Sequence, residues 1–313
     1  MTTLLWGVPS EPPMAMVAAA LSARGAEPVM IDPCSAARAE IDLALSSDRG
    51  DLLLDGALRL GDRSIDLGSV TGMYLRPVEP AFVPGLASAE REHAQRVHDT
   101  LLSFTELADA LGGRRVANPL SAMASNMSKP YQAQLIARHG FYIPATLVSD
   151  DPDEVLDFAE RHGRTIYKST SGVRSVVTAF DPIRDRDRLA RLRWCPVQFQ
   201  ELLDGPDVRV HTVGDRVLAV ILDTTAVDYR YARAQVGSDA RLRPHALDAD
   251  LAERCVALAG DLGLPFAGID LKLMPDGRVA CFEVNPSPGF SWFEAETGVP
   301  IASAVADWLL TPA

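Results

Sequence analysis

The chain has 313 residues, with 30 Lys and Arg against 42 Asp and Glu and a formal net charge of -12. That balance leaves no basic stripe for a nucleic-acid groove, and it would not repel a basic peptide. With 47% hydrophobic and 23% charged residues it has the composition of a globular enzyme, and its length calls for two or three packed lobes.

No apolar run approaches a membrane span, and Met1-Thr-Thr-Leu-Leu-Trp6-Gly carries no basic region before Glu11 and Pro12-Pro13. The expectation is a cytoplasmic protein with no membrane partner. Thr2 to Gly7 reads as a first strand, Pro13 to Ala23 as a helix stopped at Gly25, and Pro28 to Ile31 as a second strand, a unit that predicts a parallel α/β sheet. The Gly7-Val-Pro-Ser that follows the first strand lacks the glycines of a dinucleotide fingerprint, which weakens a dehydrogenase reading. Leu52 to Leu54, Ala57 to Leu60 and Ser64 to Leu67 suggest short strands around Asp55-Gly56 and Gly61-Asp62, and Gly72 to Arg76 a further strand ending on an arginine. Ala87 to Leu111 has helical period, with Ala94, Val97, Leu101, Leu102, Phe104 and Leu107 on one face. His93 and His98 do not share a helix face well and are expected at the surface. Cys34, Cys195, Cys255 and Cys281 show no Cys-x-x-Cys spacing, and the last two read as buried thiols.

Beyond Asn118-Pro119, Ser128 reads as the N-cap of a helix running to Gly140. A strand (Pro144 to Val148), a helix (Pro152 to His162) and two strands (Arg164 to Lys168, Val176 to Phe180) follow, the last two joined by a Ser- and Gly-rich loop from Ser169 to Ser175. Val197 to Leu203 is an apolar strand ending in an acid, and it leads through Gly205-Pro206 into Asp207-Val-Arg209-Val-His211. Asp215 to Leu222 gives another strand, Leu247 to Leu262 an amphipathic helix, and Pro300 to Leu310 a closing helix with Ile301, Val305 and Leu309 on one face. His211 and His245 read as structural.

Phe266 to Asn285 carries the densest chemistry. Two apolar runs flank Pro275-Asp276-Gly277, turn chemistry that predicts a β-hairpin. A four-residue loop from Pro275 to Arg278 pairs Met274 with Val279 and sets Asp270 opposite Glu283, with Asn285 on the face of Glu283. Opposed carboxylates call for a cation between them, and an all-oxygen set too small to cage calcium suits magnesium that keeps phosphate oxygens and water. The plainer alternative pairs Asp270 with Lys272 or a distant arginine.

Gly268-Ile-Asp270 followed by Phe282-Glu283-Val-Asn285-Pro286 resembles the metal-binding end of the ATP-grasp ligases. Ser287-Pro288-Gly289, Glu294 and Thr297-Gly298 are similar to the ribosomal-protein glutamate ligase branch. Trp292-Phe293-Glu294 and Thr297-Gly298-Val-Pro300-Ile301 resemble the graspetide (microviridin-type) macrocyclising ligases, although Pro288-Gly289-Phe290 stands where those usually show Gly-Gln-Trp. The resemblance implies an α/β ATP-grasp fold: an N-terminal pre-ATP-grasp domain (1–118), a central subdomain (119–199) and a C-terminal subdomain with the metal site (200–313), the last two clamping a nucleotide. It implies that Asp270, Glu283 and Asn285 hold Mg2+, and that Lys129 and Lys168 touch ATP phosphates beneath the loop containing Ser171 and Gly172. The main chain of Glu201, Leu202 and Leu203 would receive adenine and Asp207 the ribose. Arg209 and Arg230 would serve the acyl phosphate and the reacting carboxylate, with Arg233 a second candidate, and Arg76 matches an arginine before proline in the graspetide ligases.

The implied reaction is ADP-forming ligation of a carboxylate to an amine or hydroxyl, forming C-N or C-O bonds, with a ribosomally made peptide as substrate and ester or amide crosslinks as product. The alternatives are addition of an amino acid to a peptide terminus or small metabolite, and a nucleotide-binding regulatory protein without catalysis. A homodimer is admitted by the sequence.

Overall fold

The computed structural model describes residues 2–48, 51–124, 129–170 and 176–313. The chain opens on β1 (Thr2–Gly7), α1 (Pro12–Ser22) and β2 (Val29–Ile31), with β1 and β2 parallel and Leu4 opposite Val29. A short α2 (Pro33–Ala36) is capped by the Asp32 carboxylate, which accepts from the Cys34 and Ser35 N–H groups. Next come β3 (Glu40–Asp48), β4 (Asp51–Leu60) and β5 (Arg63–Asp66), a separate antiparallel sheet. The sequence reading missed β3 and broke β4 at Asp55-Gly56. Gly56 stays inside the strand with φ of 149°, and a Cβ there would lie 2.3 Å from the Asp42 carbonyl oxygen, so the glycine permits close approach instead of a turn.

β6 (Val70–Arg76) and β7 (Arg115–Ala117) complete the parallel sheet in the order β2-β1-β6-β7. Between them α3 (Ser88–Ala110) buries Val97, Leu101, Phe104 and Ala108 against it. His98 corrects the sequence expectation: it is buried beside the Trp6 ring at 5.0 Å, with Glu79 Oε2 3.7 Å from Nε2. His93 Nε2 donates to Ala39 O at 2.9 Å.

After α4 (Leu120–Met123), α5 (Lys129–Arg138) sends Leu135 and Ile136 into the same cluster as Val208, Val210 and Ile269. The helix read with the lobe that follows it therefore packs on the sheet of the C-terminal third. β8 (Thr146–Ser149), α6 (Pro152–His162), β9 (Thr165–Ser169), β10 (Thr178–Phe180), α7 (Arg186–Leu189) and β11 (Val197–Glu201) form the next lobe, an antiparallel sheet in the order β10-β9-β11-β8.

The last third holds β12 (Asp207–Val213), β13 (Arg216–Asp223), α8 (Ala232–Val236), β14 (Arg241–His245), α9 (Ala249–Asp261), β15 (Phe266–Leu273), β16 (Val279–Asn285), α10 (Ser291–Thr297) and α11 (Ile301–Leu310). Its antiparallel sheet runs β14-β13-β12-β15-β16. α9 covers one face with Leu251, Cys255 and Leu258. Ile301, Val305 and Leu309 of α11 share a core with Leu5, Met14 and Val17, so the first and last thirds close on each other. Among the described residues no helix is long and apolar enough to cross a membrane.

Asn118, buried at φ of 61°, sits where these two thirds meet. Its amide donates to Pro286 O and, at 3.4 Å, to Phe266 O. We expect Asn118→Ala to cost about 2–4 kcal/mol, combining lost buried hydrogen bonds with left-handed strain, and Asn118→Gly to recover about 1 kcal/mol of that. Urea midpoints of the three proteins check both. Burial lowers the His98 pKa below its ordinary 6.5, against the pull of Glu79 and Asp99. The unfolded chain then binds that proton more tightly, so the contribution is complete above about pH 6.5 and declines as pH falls below it. Urea midpoints measured from pH 8 to pH 5 should fall less for His98→Gln than for the wild type.

Candidate active site

Alternation along three neighbouring strands puts one set of residues on each face of the C-terminal sheet. Val208, Val210, Ala267, Ile269, Leu271 and Val284 go to the core. The opposite face is a grid: Asp207 pairs with Lys272, Arg209 with Asp270 and Asp270 with Glu283, and His211 with Gly268 and Gly268 with Asn285. Arg209 Nη1 donates to Asp270 Oδ1 at 2.7 Å, and Lys272 Nζ lies 2.9 Å from Asp207 Oδ1. Asp270 is thus salt-bridged to a near cross-strand arginine, not to Lys272.

Asp270 does face Glu283, by a route that differs from the sequence reading. The turn is three residues, Pro275 to Gly277, closed by the Met274 N–H to Arg278 O bond at 2.9 Å, with Gly277 at φ of 85°. Leu273, not Met274, pairs with Val279, and Leu271 with Cys281. A bulge at Phe282 absorbs the extra residue and restores Asp270 opposite Glu283. β16 is locked along its free edge: Gln132 donates to Val284 O at 2.8 Å and accepts from Val284 N–H at 2.9 Å, while Tyr142 bonds Val279 and Cys281 through its main chain. The Asn285 side-chain oxygen accepts from Ser287 N–H at 2.9 Å.

Gln132 and Lys129 lie on α5, so the same anchor sets Lys129 Nζ 3.6 Å from Glu283 Oε2. Lys168, on β9 opposite Gln198, lies close enough to Lys129, Glu283, Arg230 and Asp270 for all four to act on its charge. Burial, then the Lys129 charge, pulls its pKa below the ordinary lysine range. Arg230 is gripped by the buried Asp228, with Nε to Oδ1 at 2.8 Å and Nη2 to Oδ2 at 2.7 Å. Asp228 also accepts from Val177 N–H at 3.2 Å, tying Arg230 to the neighbouring lobe.

The Glu201 carboxylate accepts from the Tyr142 hydroxyl at 2.8 Å and Ala145 N–H at 3.2 Å. The N–H groups of Glu201 and Leu202 are engaged by Ala145 O and Arg164 O; Leu203 takes no part in these two bonds. Arg233 departs from the cluster: it is exposed and paired with Asp239 at 2.8 Å. His245 ends up on the edge strand β14, and Arg76 binds Glu11 and donates to Ser287 Oγ at 2.7 Å. Ser171, Gly172 and the Ser128 cap lie outside the described residues. A cavity of about 450 Å³ lined by Phe141, Tyr142, Arg254 and Arg278, and one of about 270 Å³ lined by Tyr167, Phe180, Leu189 and Phe199, contain none of the nucleotide, metal or catalytic residues expected from the sequence.

The electrostatics fit a divalent cation. Burial pushes the Asp270 carboxyl up, Arg209 pulls it down, and the Glu283 charge adds to the upward shift. A cation bound by Asp270, Glu283 and the Asn285 oxygen would relieve burial and repulsion together, and oxygen-only donors suit magnesium. Burial likewise raises the Asp207 pKa against Lys272.

Sequence reasoning missed Gln132, Tyr142 and Asp228. Gln132 and Tyr142 act on partners 152 and 59 residues away, for which a sequence holds no periodic signal. Asp228 left one: it precedes a short turn whose Arg230 N–H it caps at 3.2 Å.

Known proteins agree with this architecture. The chain is 30% identical over 209 residues to a probable alpha-L-glutamate ligase of Sodalis glossinidius (strain morsitans), covering 63% of this chain and 69% of that one. It is 29% identical, with TM-score 0.70 and coverage of 99% and 97%, to the ATP-grasp ligase PsnB solved with a phosphomimetic variant of its minimal precursor, Mg and ADP. The macrocyclase MdnC of Microcystis aeruginosa MRC, solved with precursor peptide MdnA, shares the fold at 23% identity, with TM-score 0.76 and 99% coverage of both chains. A family model, the RimK-like ATP-grasp domain, matches residues 126–309. The chain therefore belongs to the RimK-like ATP-grasp family, whose members are ATP-dependent ligases that form amide or ester bonds.

Proposed function

We propose that this ligase activates a carboxylate of a ribosomally made peptide as an acyl phosphate and passes it to an amine or hydroxyl of that peptide, closing amide or ester crosslinks. The observation that carries this reading is the likeness over 99% of the chain to PsnB, a ligase solved with its precursor, Mg and ADP. The same reading takes the reaction to be cytoplasmic, and it needs no second copy of the chain, so a homodimer enters it nowhere.

In this reading the chain divides as 1–118, 119–199 and 200–313, with α5 of the middle part packed on the sheet of the last. Lys129 and Lys168 bind the ATP phosphates with the loop at Ser171 and Gly172. The main chain from Glu201 to Leu203 meets adenine, and Asp207 meets the ribose. Asp270, Glu283 and Asn285 would hold Mg2+, whose chemistry there is to neutralise phosphate charge. The substrate carboxylate attacks the γ-phosphorus and ADP leaves; the amine or hydroxyl then attacks the acyl carbon and phosphate leaves, its proton passing to an Asp or to water. Arg209 and Arg230 offset the charge that grows on the acyl phosphate. Arg230 suits this role because Asp228 fixes its fork from behind.

A second reading, addition of an amino acid to a peptide terminus, draws on the 30% identity to a probable alpha-L-glutamate ligase. Mass spectrometry of a peptide encoded beside the gene, incubated with the protein, ATP and magnesium, decides between them. Loss of one water per bond with ADP release is expected; a gain in mass selects the second reading, and no ADP release with either substrate class sinks both. Arg209→Ala should lower kcat by about 10²–10³-fold, the scale of removing one donor to developing charge. Glu283→Gln should instead raise the magnesium concentration for half-maximal rate by about tenfold, a scale that even outer partners of a ligand set reach.

A further inference from the structure

Arg209 is a buried charge on the site face, and its surroundings hold two residues that the reaction scheme leaves without a task. His211 and Gly268 sit directly opposite each other on β12 and β15, one step along from the Arg209–Asp270 pair. Arg209 Nε donates to His211 Nε2 at 3.4 Å, while Nη1 is taken by Asp270. Nη2 takes part in neither bond, and it lies 2.2 Å from where a Cβ on Gly268 would be. The same Cβ would lie 2.6 Å from the guanidinium carbon and 2.7 Å from Pro288 Cβ. Gly268 is thus required for space: it opens a slot in the strand into which the guanidinium fits. Phe293 closes the group from another side, its ring centre 5.7 Å from the guanidinium carbon.

His211 is itself fully buried, its ring 5.5 Å from Phe293, 6.4 Å from Phe266 and 6.5 Å from Phe290. Accepting from Arg209 at Nε2 puts the remaining proton on Nδ1, which has no partner among the described residues. An apolar residue would fill the aromatic cage without leaving that N–H unpaired, so the contact that repays a histidine here is the one to Arg209.

We propose that His211 and Gly268 are positioning residues for Arg209: the imidazole holds Nε, the missing side chain admits the guanidinium, and Nη2 is left as the donor that meets the reacting carboxylate or its acyl phosphate. This rests on the catalytic role given to Arg209 above. Burial, reinforced by the Arg209 charge, holds His211 well below the ordinary histidine pKa, so it stays an acceptor across the working range.

Four variants test this: His211→Phe, His211→Gln, Gly268→Ala and Arg209→Ala, each assayed at a temperature below its own unfolding transition and checked there for a native circular-dichroism spectrum and for ADP binding. Long-range 1H–15N spectra of the wild type should show His211 as the neutral Nδ1–H tautomer, with an Nε2 resonance that moves in Gly268→Ala and in Arg209→Ala. In the precursor-peptide assay His211→Phe and Gly268→Ala should lose up to about 10² in kcat, the cost of about 1 Å of misplacement. KM for ATP should hold, and His211→Gln should recover most of the rate because its side-chain oxygen can still accept from Nε. An Nε2 resonance indifferent to Arg209→Ala overturns the proposal, as does a His211→Gln enzyme no better than a folded His211→Phe enzyme. Full turnover in Arg209→Ala overturns the catalytic reading of Arg209 together with its positioning, whereas full turnover in His211→Phe beside an inactive Arg209→Ala overturns the positioning alone.

Discussion

The buried ion pair between Arg209 and Asp270 organises the site face. Arg209 has only 6% of its side chain exposed and Asp270 25%, so each ion has given up much of its water and depends on the other for compensation. Removing one partner from such a pair costs about 3–5 kcal/mol, because the remaining charge stays behind in a poor solvent. The pair also sets the charge balance around it. Lys272 answers Asp207 and Lys129 answers Glu283, so three ion pairs meet on one surface, with Lys168 beside them. A polyanion arriving there upsets this balance, and the donor set at Asp270, Glu283 and Asn285 is where the matching cation would enter.

Holding that balance requires a register accurate to one residue, since a slip would send Glu283 to the apolar face. The turn alone would not secure it: near Gly277 the strands run one residue out of step with the pairing at Asp270, and the bulge at Phe282 makes the correction. The edge strand is then fixed by groups from two other segments, the Gln132 amide on Val284 and the main chain of Tyr142 on Val279 and Cys281. Tyr142 also reaches Glu201, so the segment that steadies the hairpin touches the end of β11. The site face and the expected adenine seat are thereby joined through one side chain.

Much of this was legible in the sequence where the signal was local. Period-two alternation gave β12, β15 and β16 their faces, and the Pro-Asp-Gly turn gave the hairpin, so Asp270, Glu283 and Asn285 could be grouped from the sequence alone. Helical periods gave α3, α9 and α11 to within two residues at each end. β3 was missed although its signal is local: Ile41, Leu43 and Leu45 alternate with Glu40, Asp42 and Ala44, and Ile41 and Leu43 pack on the core that α3 covers. The other losses were non-local. His98 looked like a surface group on a polar helix, yet Trp6, nearly a hundred positions earlier, supplies the wall that buries it. The one-residue error at the turn arose because loop length and bulge offset each other, and only their sum is visible from the pairing of Asp270 with Glu283.

The first third of the chain lies outside the residues matched by the family model, but the geometry of the site depends on it. After Asn285 the main chain leaves the sheet and must pass Arg209 at Pro288 before entering α10. Three side chains from the first third hold it there. Asn118 donates to Pro286 O, Arg76 donates to Ser287 Oγ and, at 3.5 Å, to Pro288 O, and Glu11 orients Arg76. Pro288 in turn walls the slot over Gly268 in which the Arg209 guanidinium lies. A loop of this length, left to itself, would sample many conformations, and each ordered residue costs about 1–2 kcal/mol of backbone entropy. The parallel sheet supplies the rigid body against which that cost is met, so Arg76 acts on the site through the loop it fixes.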